Sequence, residues 1–153
     1  MIEDASTMVA IGAAFVAALS ALYARWQAIA AGRANEIALH ENRLTVYKGL
    51  ARFRAHISAR GTSIKEEEVW RFSEIVELSE FYFPSTLYPR LNKVFEDALK
   101  LLSLNDEWEE ARRHNEEQAK AFVKQRHELM RATRDECYKI TEELKPHLRV
   151  GAA

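Results

Sequence analysis

The sequence predicts an all-α protein: one N-terminal transmembrane helix followed by a cytoplasmic helical bundle with a long C-terminal helix. Three observations carry this. An 18-residue stretch without charge lies near the N-terminus, apolar residues downstream recur at spacings of three and four, and only five glycines and three prolines punctuate 153 residues. Residues 1–31 read as anchor and juxtamembrane segment, 32–148 as a cytoplasmic domain and 149–153 as a frayed tail.

The anchor is Thr7 to Ala24. At 1.5 Å rise per residue it reaches about 27 Å, close to the roughly 30 Å hydrocarbon core of a bilayer. Glu3 and Asp4 precede it, while Arg25 and Arg33 follow it. The positive-inside bias then leaves the N-terminus outside and the C-terminal domain in the cytoplasm, a single-pass arrangement in an inner (plasma) membrane. Tyr23, Arg25, Trp26 and Arg33 fall at the cytoplasmic interface. A cleaved signal peptide needs a basic leading region, which Glu3 and Asp4 do not supply. An Ala-rich core helix of a soluble protein has a similar composition, but the asymmetric flanks argue against that reading.

Ala13, Ala17 and Ala21, with Ala10, Ala14 and Ala18 beside them, repeat the small-xxx-small spacing that lets helices approach closely in lipid, so a homo-oligomer is expected. Charge is distributed unevenly along the chain. From Arg25 to Arg60 seven basic residues face Glu36 and Glu41, from Gly61 to Asp106 five face nine acidic ones, and from Glu107 onward ten face ten. With a net charge of −1 the whole molecule is not an electrostatic partner for nucleic acid. The lone Cys137 excludes an intramolecular disulfide and accords with a reducing compartment.

Downstream, Gly61 suits a left-handed helix cap and ends a helix running from about Ala34 to Arg60. Leu39, Val46, Leu50, Phe53 and Ile57 form one apolar stripe on it. Ile37, Leu44, Tyr47 and Ala51 form another, so this helix should be covered on two sides. Ser63 with Glu66 fits a capping box opening a helix from Ile64 to about Phe81, which stops before Pro84. Val69, Phe72, Val76, Ser79 and Phe83 mark its buried face, and Trp70, Phe81, Tyr82 and Phe83 are expected in the core.

Ser85 offers a cap for the next helix, whose apolar row is Leu87, Leu91, Val94, Ala98 and Leu101. Pro89 is tolerated in its first turn. Ser103 to Asp106 offers another cap. From there to Lys145 neither Gly nor Pro occurs, so a helix approaching 40 residues is allowed, with a possible break at the polar run from Arg112 to Gln118. Its seam passes through Trp108, Ala111, Asn115, Ala119, Phe122, Leu129, Thr133, Cys137, Ile140 and Leu144. Phe122 and Leu129 are candidate oligomerisation contacts in a coiled-coil arm.

The run Ile37-Ala38-Leu39-His40, then Arg43-Leu44, Val46-Tyr47 and Leu50, placed just after a single apolar span, resembles small bacterial single-span membrane proteins with a cytoplasmic helical domain. The resemblance covers the first third of the chain. It implies the same layout and no activity.

Catalytic and metal patterns are missing from the sequence. No histidine has Glu three residues before it, as a di-iron helix pair needs, and His40-Glu41 and His127-Glu128 lack the second histidine of a helical zinc site. No Gly-rich phosphate loop or nucleophile elbow occurs, and no cofactor is expected. Arg33 and His40 resemble the Arg-to-His spacing of HEPN-type ribonucleases. In that resemblance Arg33 would stabilise phosphate charge and His40 would move protons. The positive-inside rule accounts better for Arg33, and His40 can instead be a helix-surface residue paired with Glu36 one turn earlier. Arg52, Arg54, His56 and Arg60, interleaved with Tyr47 and Phe53, read as a solvated basic face in preference to a contact for nucleic acid or anionic lipid.

Three functional readings follow. The first is a non-enzymatic, self-associating interaction or scaffold protein held at the membrane, with a protein partner not specified by the sequence. The second is an oligomeric pore or membrane-perturbing effector of a bacterial antiphage system, by likeness of layout to the single-span effector of some RNA-targeting CRISPR systems. The third is the membrane-tethered ribonuclease.

Overall fold

A computed structural model describes residues 2–148, with side chains from Gly12 onward; the tail 149–153 and the side chain of Ala10 lie outside the described residues. Four α-helices and a closing 3-10 turn make up this region, and it contains no strand. The helices are α1 (Ile2–Arg60), α2 (Glu66–Tyr82), α3 (Leu87–His114) and α4 (Glu116–Leu144), followed by the 3-10 turn Lys145–Leu148. The chain divides into two compact units, residues 1–39 and 40–153. From Gly12 to Ala38 every described side chain is exposed.

The first unit is helix alone. It is long and apolar enough to cross a membrane, and none of its apolar window is buried by the rest of the protein. The Ser20 hydroxyl donates to the Val16 carbonyl at 2.8 Å, which satisfies that polar group within the helix itself.

The core of the second unit begins on the last five turns of α1. Val46, Leu50, Phe53 and Ile57 are each at most 2% exposed, as their spacing predicts. Phe53 stacks on Phe72 of α2 with ring centroids 4.2 Å apart. At Gly49 the two helices approach so closely that a Cβ would stand 2.4 Å from Ile75 Cγ1. The turn after α1 follows the expectation: Gly61 has φ +61° and its N–H bonds to the Ile57 carbonyl at 2.8 Å.

The start of α2 departs from it. No capping box forms between Ser63 and Glu66; Lys65 is the cap residue, without a side-chain cap bond of its own. The Lys65 N–H instead donates to His56 Nε2 at 3.1 Å, and Glu66 is taken up by Trp70 Nε1 at 3.0 Å. Glu66, Glu67 and Glu68 still fill the first turn, where carboxylates favour the positive helix end. Phe83 is extended ahead of Pro84, as a residue before proline should be.

Two further corrections concern α3 and α4. Ser85 does not cap α3, which begins after Thr86 without a side-chain cap bond. The helix continues through Ser103 to Asp106, because the Ser103 hydroxyl bonds forward to Glu107 within the helix rather than capping a new one. Residues 106–145 therefore do not form one helix. The break lies inside the polar run, at Asn115, whose extended backbone (φ −151°, ψ 102°) and Oδ1, accepting from the N–H groups of Glu117 and Gln118 at 3.1 Å each, start α4.

Helices α3 and α4 are joined by Arg90, which donates to Glu136 through Nε and Nη2 at 2.9 and 2.7 Å and also pairs with Glu143. Cys137, Ile140 and Leu144 of α4 complete the core, each 0% exposed. The buried hydroxyls of Ser79, Thr133 and Thr141 donate to backbone carbonyls three or four residues earlier, so their burial leaves no donor unpaired.

Candidate functional site

The most unusual side chain in the second unit is Arg126, only 6% exposed. The seam of α4 puts it there. Its position lies four residues after Phe122 and three before Leu129, so the helical repeat turns it toward α3 even though the residue is charged. Its guanidinium lies 4.4 Å from the centre of the Trp108 ring, with Arg112 at 5.5 Å from the same ring. Arg126 Nη2 donates to Thr62 Oγ1 at 3.1 Å, while its Nε is buried without a partner.

Thr62 follows the left-handed Gly61, and its carbonyl accepts from Asn105 Nδ2 at 2.7 Å. The Oδ1 of Asn105 is a second buried and unpaired atom. Asn105, Trp108 and Arg126 border a cleft of about 490 Å³ whose wall also carries Glu66, Asp106 and Glu109.

Among the described residues Arg126 has no carboxylate within ion-pairing distance. Burial lowers its pKa, and Glu109 pulls weakly the other way. The group nevertheless keeps its proton. Holding a cation in this position costs free energy that aromatic stacking and one hydrogen bond only partly offset. The cleft offers hydrogen-bonding groups from Asn105 and Arg126 and the Trp108 ring.

No family model, curated protein or solved structure matches the chain. Tyr23, Arg25, Trp26 and Arg33 are exposed on α1, Tyr23 and Trp26 by 66% and 73%. Ala13, Ala14, Ala17, Ala18 and Ala21 are exposed along the same helix. Arg33 belongs to the first unit and the half-buried His40 to the second. Among the described residues neither makes a side-chain hydrogen bond, the Glu36–His40 pair included, and no group of histidine, cysteine or carboxylate side chains could hold a metal.

Phe122 is half-buried in a cleft with Ala111 and His114, and Leu129 rests against the core. The basic run on α1 is dispersed by its own contacts. Arg52 pairs with Glu68 at 2.9 Å, Arg54 lies 5.8 Å from the Tyr138 ring centre, and His56 accepts from the Lys65 N–H.

Trp70 and Phe81 overturn the expectation that they belong to the core. They are 52% and 76% exposed, whereas Val69, Phe72 and Phe83 occupy the buried positions. Nine residues separate Phe72 from Phe81, two and a half helical turns, which places them on opposite sides of α2.

Proposed function

We propose that this chain is a membrane-anchored, self-associating helical interaction protein without catalytic activity, its N-terminal helix spanning an inner membrane and its second unit folded as a cytoplasmic bundle. The observation that carries the proposal is the exposure of the uncharged segment of α1. Phe15, Val16, Leu19 and Leu22 are each more than half exposed, and no part of the protein covers them. A run of that size left in water is unfavourable by about 1.5–3 kcal/mol per large side chain, and lipid removes this cost.

The flanking charges support a cytoplasmic C-terminal domain, and the exposed alanine row supports self-association within the bilayer. The protein should remain in the membrane fraction through an alkaline wash, and its mass in mild detergent should exceed that of one chain. Ala17→Leu should reduce that mass without releasing the protein from membranes. Recovery of the intact protein in the soluble fraction would refute the anchor.

A further inference from the structure

The second unit carries two unpartnered surfaces whose shape and charge are complementary. One is the outer face of α2, where Trp70, Glu74, Glu77 and Phe81 follow one another at spacings of four, three and four, with Glu80 beside Phe81. All five are exposed, and among the described residues none of the three glutamates is in an ion pair. Trp70 is held in place by its bond to Glu66 and by an edge contact with Phe95, ring centres 5.8 Å apart.

The other is a groove between the last turns of α1 and the first turns of α2. Its bottom is Gly49, Phe53, Phe72 and Ile75, and its rim carries Lys48, Arg52 and Arg71 against the single carboxylate of Glu68. Glu68 is already shared between Arg52 and Arg71 at 2.9 and 2.8 Å, and Arg71 also pairs with Glu67 at 2.9 Å, so the free charge on the rim is that of Lys48, which has no ion-pair partner among the described residues. The groove's volume is about 250 Å³, below the roughly 300–1,000 Å³ of small-molecule sites and suited to one inserted side chain.

From these surfaces we infer that the groove of one copy receives Phe81 of a second copy of this chain, with Glu77 and Glu80 of the incoming helix meeting Lys48 and Arg52 on the rim. An aromatic anchor in an apolar pocket ringed by complementary charge is the arrangement that dominates protein interfaces. At 100° per residue, the Phe81 face of α2 lies roughly 140° around the helix from the face that walls the groove. The two surfaces are therefore distinct, and the contact is head-to-tail: it closes into a ring or continues as an open chain, and a two-fold dimer does not satisfy it. The inference rests on the self-association proposed above and adds to it the cytoplasmic contact.

Cysteine pairing in the full-length protein in mild detergent tests it. Cys137 is fully buried, and burial pushes its thiol up to about 12, so it leaves the background silent. Thr45→Cys at the rim and Glu80→Cys beside the anchor, each in a separately tagged population, are mixed and treated with a short thiol-to-thiol cross-linker. The mixed adduct should exceed either self-adduct by about tenfold, a chain carrying both substitutions should give a ladder, and Phe81→Ala should cut the mixed adduct about tenfold or more. Thermal unfolding of each variant checks that its fold is kept. Self-adducts equal to the mixed one would overturn the head-to-tail contact. Oligomers by light scattering without any adduct would overturn it as well and leave association to the span, whereas a monomeric mass would remove both this contact and the self-association reading.

Discussion

Gly49 sets how closely α1 and α2 approach, and replacing it should reveal that contact. In an exposed helix interior Gly→Ala is favourable by about 0.8–1 kcal/mol. At Gly49 the added Cβ would meet Ile75 Cγ1 at 2.4 Å, Cδ1 at 2.6 Å and Cγ2 at 3.0 Å, three atoms of a β-branched side chain that cannot swing away as one flexible tip. Overpacking of this kind costs about 1–3 kcal/mol, so Gly49→Ala should be destabilising by up to about 2 kcal/mol after the helix term is subtracted.

By contrast Gly32, in the first unit, has nothing within 4 Å of its hypothetical Cβ. Chemical denaturation of the second unit's helices, followed by far-UV circular dichroism, provides the assay. A double-mutant cycle then decides the cause: in an Ile75→Ala background Gly49→Ala should become neutral or stabilising. An equal effect in both backgrounds would refute the close approach.

Three further outcomes follow from the packing and the charges. Phe53→Ala should cost about 3–5 kcal/mol, since it opens a cavity against Phe72, while Arg52→Ala, at an exposed ion pair, should cost no more than about 1 kcal/mol; equal shifts in a denaturation experiment would mean the α1 register is wrong. His56 must be neutral to accept from Lys65 N–H, and desolvation lowers its pKa with Glu68 opposing. Its contribution is therefore fully present above the unfolded value near 6.5 and is lost as pH falls through the folded value; a pH–stability profile of His56→Gln should lack that decline, and an unchanged profile would exclude the ring as its source. Arg126→Met keeps length without the buried charge, so thermal unfolding should show stability unchanged or raised by up to about 2 kcal/mol, whereas a loss of several kcal/mol would mean the guanidinium is compensated.

Elements with repeated apolar spacing were legible from the sequence. The Val46-to-Ile57 stripe and the Cys137-to-Leu144 row are buried as their periodicity requires, because a 3.6-residue repeat fixes a face whatever the tertiary arrangement. Helix starts were less legible. Ser63 has the chemistry of a cap, but the helix starts two residues later, after Lys65, whose N–H is taken up by His56, a residue that only folding brings near it. Asn115 read as a seam position within a polar run; its short carboxamide, whose oxygen accepts from two N–H groups of the next turn, starts α4 there instead.

The candidate site was hidden for a related reason. Arg126 occupies a seam position, and the gap between Phe122 and Leu129 was its only signal; reading charge as exposure concealed it. Trp70 and Phe81 failed in the opposite direction. Hydrophobicity suggested burial, whereas their angular position on α2 relative to Phe72 assigns them to the outside.

The central claim is that the apolar part of α1 spans a membrane with the helical domain on the cytoplasmic side. Paired reporters fused after Ala153 in a bacterial host test it most directly: one that fluoresces only when folded in the cytoplasm and one that is active only in the periplasm. With the protein resistant to alkaline extraction, the first reporter should be active and the second silent. Periplasmic activity on an extraction-resistant protein would reverse the orientation, and loss of the protein from the membrane fraction would contradict the span itself.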